Sequence, residues 1–489
     1  MALLCLTKLW RSPTLPRDKM PNSGIPAAFL ERMRVLLGPE FASFQECLEQ
    51  APVSGLRLNT LKIDPRAFIY LAPFELEPLP WCPQGFRLPQ KGVKAGTDPP
   101  GKHPYHAAGV YYLQEPSAMA VAEILDPRPG EIVLDLAAAP GGKSTHIAAL
   151  MQNSGLLVAN DVHPKRVWEL NENLERWGAK NVAITNEKPA RLAARWPSRF
   201  DRVLLDAPCS GEGMFRRSQT ARQDWSIELV NGCALRQSNI LKEAAFLLQP
   251  GGILVYSTCT FAPEENEGVI SAFLTAHPDF TLDEIRQAPG YMPGEVAWIL
   301  DERFASHHIE RTVRLWPHQI EGEGQFIARM RKNGVSRQMF AKNRKPKPIP
   351  ADALRAYAEF CQALGTEAED TTEMVMVGGR LYRVPPDLPE WTGLRLIHPG
   401  LWLGSIKRGE YSQRTRFEPA HSLALALNSK NVRHSLNLEL EQARNYLSGN
   451  PLAREGDAGW MLVALDGFPL GWGKCVHHVV KNYYPKGLR

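Results

Sequence analysis

The sequence of 489 residues predicts an α/β protein whose centre is a βαβ sheet. From about Glu115 to Arg331, short apolar runs alternate with amphipathic helical stretches, the pattern of strands joined by crossover helices. One run, Ile132 to Leu136, passes into a turn of small residues and glycines and then into a helix from Ser144 to Met151. Two further runs end in cysteine motifs, Asp206-Ala-Pro-Cys209 and Ser257-Thr-Cys259. In an open α/β sheet the carboxyl ends of the strands are where ligands bind.

Along the chain, residues 1–19 mix Arg, Pro and Lys without a period and are expected to be a dispensable extension, with Met20 as a second start. Helical spacing from Pro26 to Leu37 opens an N-terminal α+β accessory domain over 20–108, with a Pro-rich stretch from Pro73 to Pro104. The catalytic sheet domain is expected over 109–335. Residues 336–350, ending in the cationic, proline-containing run Lys342 to Pro350, read as an exposed linker. A C-terminal domain fills 351–489.

With 44% hydrophobic and 22% charged residues the composition is that of globular domains. The longest apolar stretches fall short of the roughly 18 residues of a membrane helix, and residues 1–6 lack the flanks of a signal peptide, so no membrane partner and a cytoplasmic location are expected. Eight scattered cysteines show no CxxC pair, and no metal is expected. The net charge of +5 sits in the C-terminal end: residues 401–489 hold twelve Lys and Arg against seven Asp and Glu. There Lys474, Lys481, Lys486 and Arg489 lie among Trp472, Tyr483 and Tyr484, a mixture suited to phosphates and unstacked bases.

The turn after the first strand reads Asp135-Leu-Ala137-Ala138-Ala139-Pro140-Gly141-Gly142-Lys143. Small side chains at 137–139 and glycines at 141 and 142 allow close backbone approach to a ligand. The pattern is neither GxGxxG nor a phosphate loop, which counts against a nicotinamide oxidoreductase. The next strand, Leu156 to Asn160, ends at Asp161, placed to hold ribose hydroxyls. Lys143 closes the loop and is counted with both the donor-binding and the catalytic residues.

Two thiols on one sheet edge suit a particular chemistry. If their strands are neighbours, the strand ends lie roughly 5 Å apart. C5 of cytosine is a poor nucleophile until a thiolate adds at C6 and turns the ring into an enamine. An acid near N3, for which Asp206 is the candidate, stabilises the developing charge, and a second thiol helps release the product.

These motifs resemble the NOL1/NOP2/Sun family of RNA cytosine-C5 methyltransferases over about residues 57–330. The match runs through Arg57-Leu-Asn59, Gln114-Glu-Pro-Ser117, the 135–143 loop, Asp206-Ala-Pro-Cys-Ser-Gly-Glu-Gly213, Ser257-Thr-Cys-Thr260 and Pro263-Glu-Glu-Asn-Glu267. The resemblance implies a class I, Rossmann-like fold and S-adenosyl-L-methionine as methyl donor. It implies attack by Cys259 and release by Cys209. The segments Pro80-Trp-Cys-Pro-Gln-Gly-Phe86, Arg314-Leu-Trp-Pro-His318 and Lys481-Asn-Tyr-Tyr-Pro-Lys-Gly487 look like the bacterial RsmF type. That type implies 16S ribosomal RNA near the decoding site as substrate, cytidine 1407 and its neighbours among the candidates, with small-subunit RNA as partner, a monomeric enzyme and a PUA-like C-terminal domain. Transfer RNA is the runner-up substrate, and a non-catalytic ribosome-assembly factor is the alternative class. One departure stands out. Where the family has an acid and a glycine near adenine, this chain reads Asn186-Glu187-Lys188-Pro189, so either Glu187 or the backbone and stem of Lys188 lines that place. A truncation from about residue 351 is expected to weaken RNA binding and leave donor binding intact.

Overall fold

The computed structural model describes residues 24–89, 98–299, 307–335, 348–408, 415–453 and 458–489. The extension 1–19, the second start at Met20, Cys5 and most of the 336–350 linker lie outside the described residues. The chain divides into two compact units that cut across sequence order. One gathers residues 1–53, 207–242 and 256–331; the other gathers 54–206, 243–255 and 332–489.

The first unit has an aromatic core. Helices Ala27–Leu37 and Phe41–Glu49 present Phe29, Leu30, Met33, Phe44 and Leu48 to Phe215, Trp225, Phe261 and Trp316. Phe29 meets Phe215 edge-on at 4.9 Å, and Phe261 stacks on Trp316 at 5.2 Å. Such pairs add about 0.5–1.5 kcal/mol each beyond their buried area. The antiparallel strands Met292–Pro293, Val313–Leu315 and Gln325–Lys332 complete the frame. The buried Arg314 guanidinium binds both carboxylate oxygens of Glu267, at 2.7 and 2.6 Å.

In the second unit, strands Phe200–Asp206, Ile132–Asp135, Leu156–Asn160 and Val182–Thr185 lie side by side in that order and parallel. Residues 248–255 of the strand Leu248–Thr258 flank Phe200–Asp206, and Leu396–His398 pairs antiparallel with Val182–Thr185. Leu156–Asn160 and Val182–Thr185 are buried throughout, which is why they read as unbroken runs without period-two alternation. Helices Gly142–Leu150 and Arg166–Trp177 follow the first two strands, and the latter ends at Gly178 in the left-handed region at φ 76°. This is the Rossmann-like sheet expected from the sequence.

The same unit carries an antiparallel sheet in the order Glu77–Leu79, Cys82–Leu88, Ser54–Leu58, Tyr111–Leu113. Helix Pro65–Leu71 beside it starts on Asp64, whose side chain accepts from the Arg66 and Ala67 amides, with proline at the first helical position. The C-terminal segment forms a four-stranded sheet (Met374–Val377, Arg380–Arg383, Leu401–Arg408, Thr415–Pro419) and a five-stranded sheet that includes Ser435–Leu438, Gly459–Leu465 and Phe468–Val476. Its residues Tyr446, Val463, Leu465 and Leu470 share one core with Leu56, Phe68, Phe74 and Tyr111. Tyr105 donates to Asp466 across that core at 2.6 Å. Residues far apart in sequence therefore stabilise one another. No helix among the described residues is long and apolar enough to cross a membrane.

Candidate functional site

In the second unit, the loop after Ile132–Asp135 is built from the predicted residues. Ala138 donates its amide to the Asn160 carbonyl at 2.8 Å, and Ala139 donates to Asp161 Oδ2 at 3.1 Å. The Asn160 side chain donates to the Leu136 and Glu187 carbonyls and accepts from the Glu187 amide. Gly141 turns the chain at φ 114°, a conformation costly for any side chain, and the helix begins at Gly142. The loop is thus held by the ends of the next two strands, with small side chains at 137–139.

Two carboxyls mark this loop. Asp161 is buried and accepts from the Ala139 and His163 amides, the latter at 2.8 Å. Asp135 is fully buried; its Oδ2 accepts from Ser144 Oγ at 2.6 Å, while Oδ1 has no hydrogen-bond partner. Burial pushes the Asp135 carboxyl up to about 7. Lys143 donates to Asp206 Oδ2 at 2.7 Å, joining the end of the loop to the end of the Phe200–Asp206 strand.

The loop has a further support, from a side chain that in the sequence stands only as part of a motif. Arg57, fully buried, donates from Nη2 to the Gly142 carbonyl at 2.9 Å and to Thr145 Oγ1 at 2.8 Å, and from Nε to Gln114. Its guanidinium lies 4.7 Å over the Trp177 ring. Asn59 donates to the Gly109 and Trp177 carbonyls. Arg57 therefore braces the first turn of the Gly142–Leu150 helix with Gln114 holding its guanidinium, while Asn59 ties the end of the Arg166–Trp177 helix to Gly109.

Glu187 is buried, and its Oε1 accepts the Arg395 amide at 2.7 Å, so this carboxylate is engaged by the C-terminal segment. Lys188 is exposed and precedes helix Pro189–Arg195.

In the first unit the two predicted thiols come together: Cys209 Sγ and Cys259 Sγ lie 3.4 Å apart, each partly exposed. The hydrogen bond to Cys259, then burial, then the nearby charges of Cys259 and Glu265, push the Cys209 thiol well up, so Cys209 keeps its proton. The loops bearing the thiols are tied directly. The Gly213 amide donates to the Cys259 carbonyl at 2.8 Å, and a Cβ at 213 would stand 2.7 Å from that oxygen, which requires glycine. Ser210 Oγ and Thr260 Oγ1 are 2.8 Å apart. Glu212, buried, accepts from Trp225 Nε1 and from the Phe261 amide.

Elsewhere, Cys82, Glu123 and His146 bring potential metal-ligand atoms within 4.8 Å of one another. Gln84 Nε2 lies 2.5 Å from Glu123 Oε1 and 2.6 Å from His146 Nε2, so these side chains share one hydrogen-bonded network. The cluster is a hydrogen-bonded core group, with burial holding His146 down at about 4.

Known proteins match the chain along most of its length. Residues 25–116 match the N-terminal domain of 16S rRNA methyltransferase RsmF, and 122–331 match 16S rRNA methyltransferase RsmB/F. Residues 359–427 match the RsmF rRNA methyltransferase first C-terminal domain, and 433–489 the methyltransferase RsmF PUA domain. A protein of Cronobacter sakazakii named ribosomal RNA small subunit methyltransferase F is 32% identical over 479 residues, which cover 95% of this chain and 96% of that one. Its Vibrio atlanticus namesake is 32% identical over 483 residues, covering 96% and 98%. Among solved structures, a methyltransferase homolog protein from Pyrococcus horikoshii superposes with a TM-score of 0.55 at 34% identity, covering 63% of this chain and 96% of the other. With four successive domain matches and full-length relatives, the chain belongs to the RsmF family of 16S rRNA methyltransferases, a branch of the NOL1/NOP2/Sun type.

Proposed function

We propose that this protein methylates C5 of a cytidine in 16S ribosomal RNA, in the decoding region and at cytidine 1407 or its neighbours, through a covalent Cys259–C6 adduct. The observation that carries the reading is the pair of thiols at 3.4 Å, one of them held protonated against the other. A structural cysteine pair needs neither partial exposure nor two converging loops.

The residues of the second unit fit S-adenosyl-L-methionine. Ala137 to Gly142 offer backbone with little side-chain bulk, Asp161 offers a buried carboxylate, and Asp135 holds an unpartnered buried oxygen beneath the loop. In this reading the 137–143 loop holds the methionine end, Asp161 the ribose, and the backbone of Lys188 the adenine, since Glu187 is engaged by Arg395. When bound, the donor supplies an electrophilic methyl group on a sulfonium.

Cys259 adds to C6 as a thiolate, stabilised by the S–H of Cys209. The Lys143 ammonium fixes the Asp206 carboxylate and shares its proton there, and this pair is assigned to N3 of the base, where negative charge develops. After C5 receives the methyl group, a water molecule takes the C5 proton, the electron pair of that C–H bond re-forms the C5–C6 double bond, and the sulfur–C6 bond breaks to release the Cys259 thiolate, with Cys209 the nearest proton donor. The domain limits 20–108, 109–335 and 351–489, RNA contact through the C-terminal Lys474, Lys481 and Lys486, action as a monomer, and a cytoplasmic location beside the small ribosomal subunit belong to the same proposal. Bisulfite mapping of ribosomal and transfer RNA from a deletion strain tests it. Loss of a 5-methylcytidine from the 16S decoding region is expected; loss from transfer RNA alone would move the substrate, and an unchanged map would reject the activity.

A further inference from the structure

Glu265 is a buried carboxylate in the first unit for which neither the thiol chemistry nor the core packing has yet given a use. It sits in the Pro263-Glu-Glu-Asn-Glu267 turn that leads into helix Glu267–Ala276. Its Oε2 accepts the Ser210 amide at 3.0 Å and Gln237 Nε2 at 2.7 Å, and its Oε1 accepts Ser210 Oγ at 2.5 Å. Its own carbonyl accepts the Tyr256 hydroxyl at 2.6 Å, which ties the turn back to the strand that leads to Cys259. Three donors on one buried carboxylate are more than helix capping needs.

Burial pushes the Glu265 carboxyl up to about 7, and in its ionised form it only accepts, so the Ser210 hydroxyl then donates to it. Ser210 Oγ also meets Thr260 Oγ1 at 2.8 Å, and Thr260 in turn hydrogen-bonds the buried Glu212 carboxyl. Ser210 follows Cys209 in the chain and Thr260 follows Cys259, so this contact joins the two loops one residue beyond each thiol. Gln237 reaches the same carboxylate and also donates to the Pro208 carbonyl at 3.0 Å, which holds the other side of Cys209.

We infer that Glu265 is the positioning residue for the thiol pair: through Ser210, Thr260 and Gln237 it sets the separation and aim of Cys209 and Cys259. The inference rests on the two-thiol reading above and adds to it the group that holds the thiols in place. The helix-start motif is then part of the active site, although its carboxylate touches no substrate.

The experiment uses the full-length protein, S-adenosyl-L-methionine and the ribosomal RNA fragment identified by bisulfite mapping, with Glu265→Gln, Ser210→Ala, Thr260→Val and the Glu265→Gln/Ser210→Ala pair. Glutamine at 265 keeps the size but turns an amino group toward the Ser210 and Gln237 donors. Misplacement of reacting atoms by about an ångström costs on the order of a hundredfold in rate. Single-turnover methyl transfer by Glu265→Gln is therefore expected to fall about a hundredfold, while KM for RNA and the thermal midpoint stay near wild type. Because the residues act in one chain, the double variant should be no slower than the slower single variant. Wild-type kcat in folded Glu265→Gln, or losses that multiply in the double variant, would overturn the inference. If Glu265→Gln does not fold, Ser210→Ala and Thr260→Val decide it by the same kcat measurement. Cys259→Ser runs alongside: its inactivity beside a fully active Glu265→Gln rejects only the positioning role, whereas its activity rejects the two-thiol reading itself.

Discussion

Replacing Cys209 should convert a catalytic intermediate into a trapped one. In the wild-type protein the Cys209 thiol stays protonated 3.4 Å from Cys259, and in the proposed mechanism it assists when the sulfur–C6 bond breaks. Alanine at 209 deletes that proton, and serine moves it back, because a C–O bond is shorter than a C–S bond. Loss of a positioned acid or base costs about 10²–10⁴ in rate. From a typical turnover of about 10 s⁻¹, elimination would slow to about 0.1–0.001 s⁻¹, a half-life of roughly ten seconds to ten minutes. Denaturation on that timescale captures the adduct. Cys209→Ala, incubated with end-labelled target RNA and S-adenosyl-L-methionine and quenched in detergent, should give a slow-migrating protein–RNA band on a denaturing gel. Cys209→Ala/Cys259→Ser should give none. A Cys209 variant that turns over freely without a band would refute the two-thiol mechanism, and a band that survives the loss of Cys259 would reverse the two assignments.

Three further outcomes are expected. Cys259→Ser should abolish methylation with donor affinity unchanged by calorimetry, since a hydroxyl is a far weaker nucleophile at neutral pH; measurable turnover would move the attack elsewhere. Asp135→Asn should flatten the pH dependence of stability: the carboxyl stands near 7 in the folded protein and near 3.9 when unfolded, so wild-type stability falls as pH rises from about 4 to 7. Urea unfolding at pH 5 and pH 8 measures this, and equal slopes for the two proteins would refute the assignment of that titration to Asp135. Lys481→Ala/Lys486→Ala, both exposed positions, should lower the magnitude of the slope of log K against log salt for RNA by about 1.4; an unchanged slope would place the phosphates elsewhere.

What could be read from the sequence was what local pattern encodes. The runs that end at Asp135, Asp161 and Asp206 were legible because buried parallel strands are continuously apolar, and the 137–143 loop because only small residues permit its path. The convergence of Cys209 and Cys259 followed from placing both at strand ends, although the 3.4 Å separation depends on the Ser210, Thr260 and Gly213 contacts. The missing parts join residues distant in sequence. Glu187 meets the amide of Arg395, Arg57 lies against Trp177, and Tyr446 and Leu465 share a core with Leu56 and Tyr111; no periodicity announces such partners. That last core changes the experiment the sequence suggested. Cutting at residue 351 would strip apolar partners from the antiparallel sheet carrying Arg57, and Arg57 holds the Gly142 carbonyl at the donor loop. Weak donor binding after such a truncation would then report lost support for the loop, so point changes at exposed lysines, which leave the core intact, are the sound test of RNA contact.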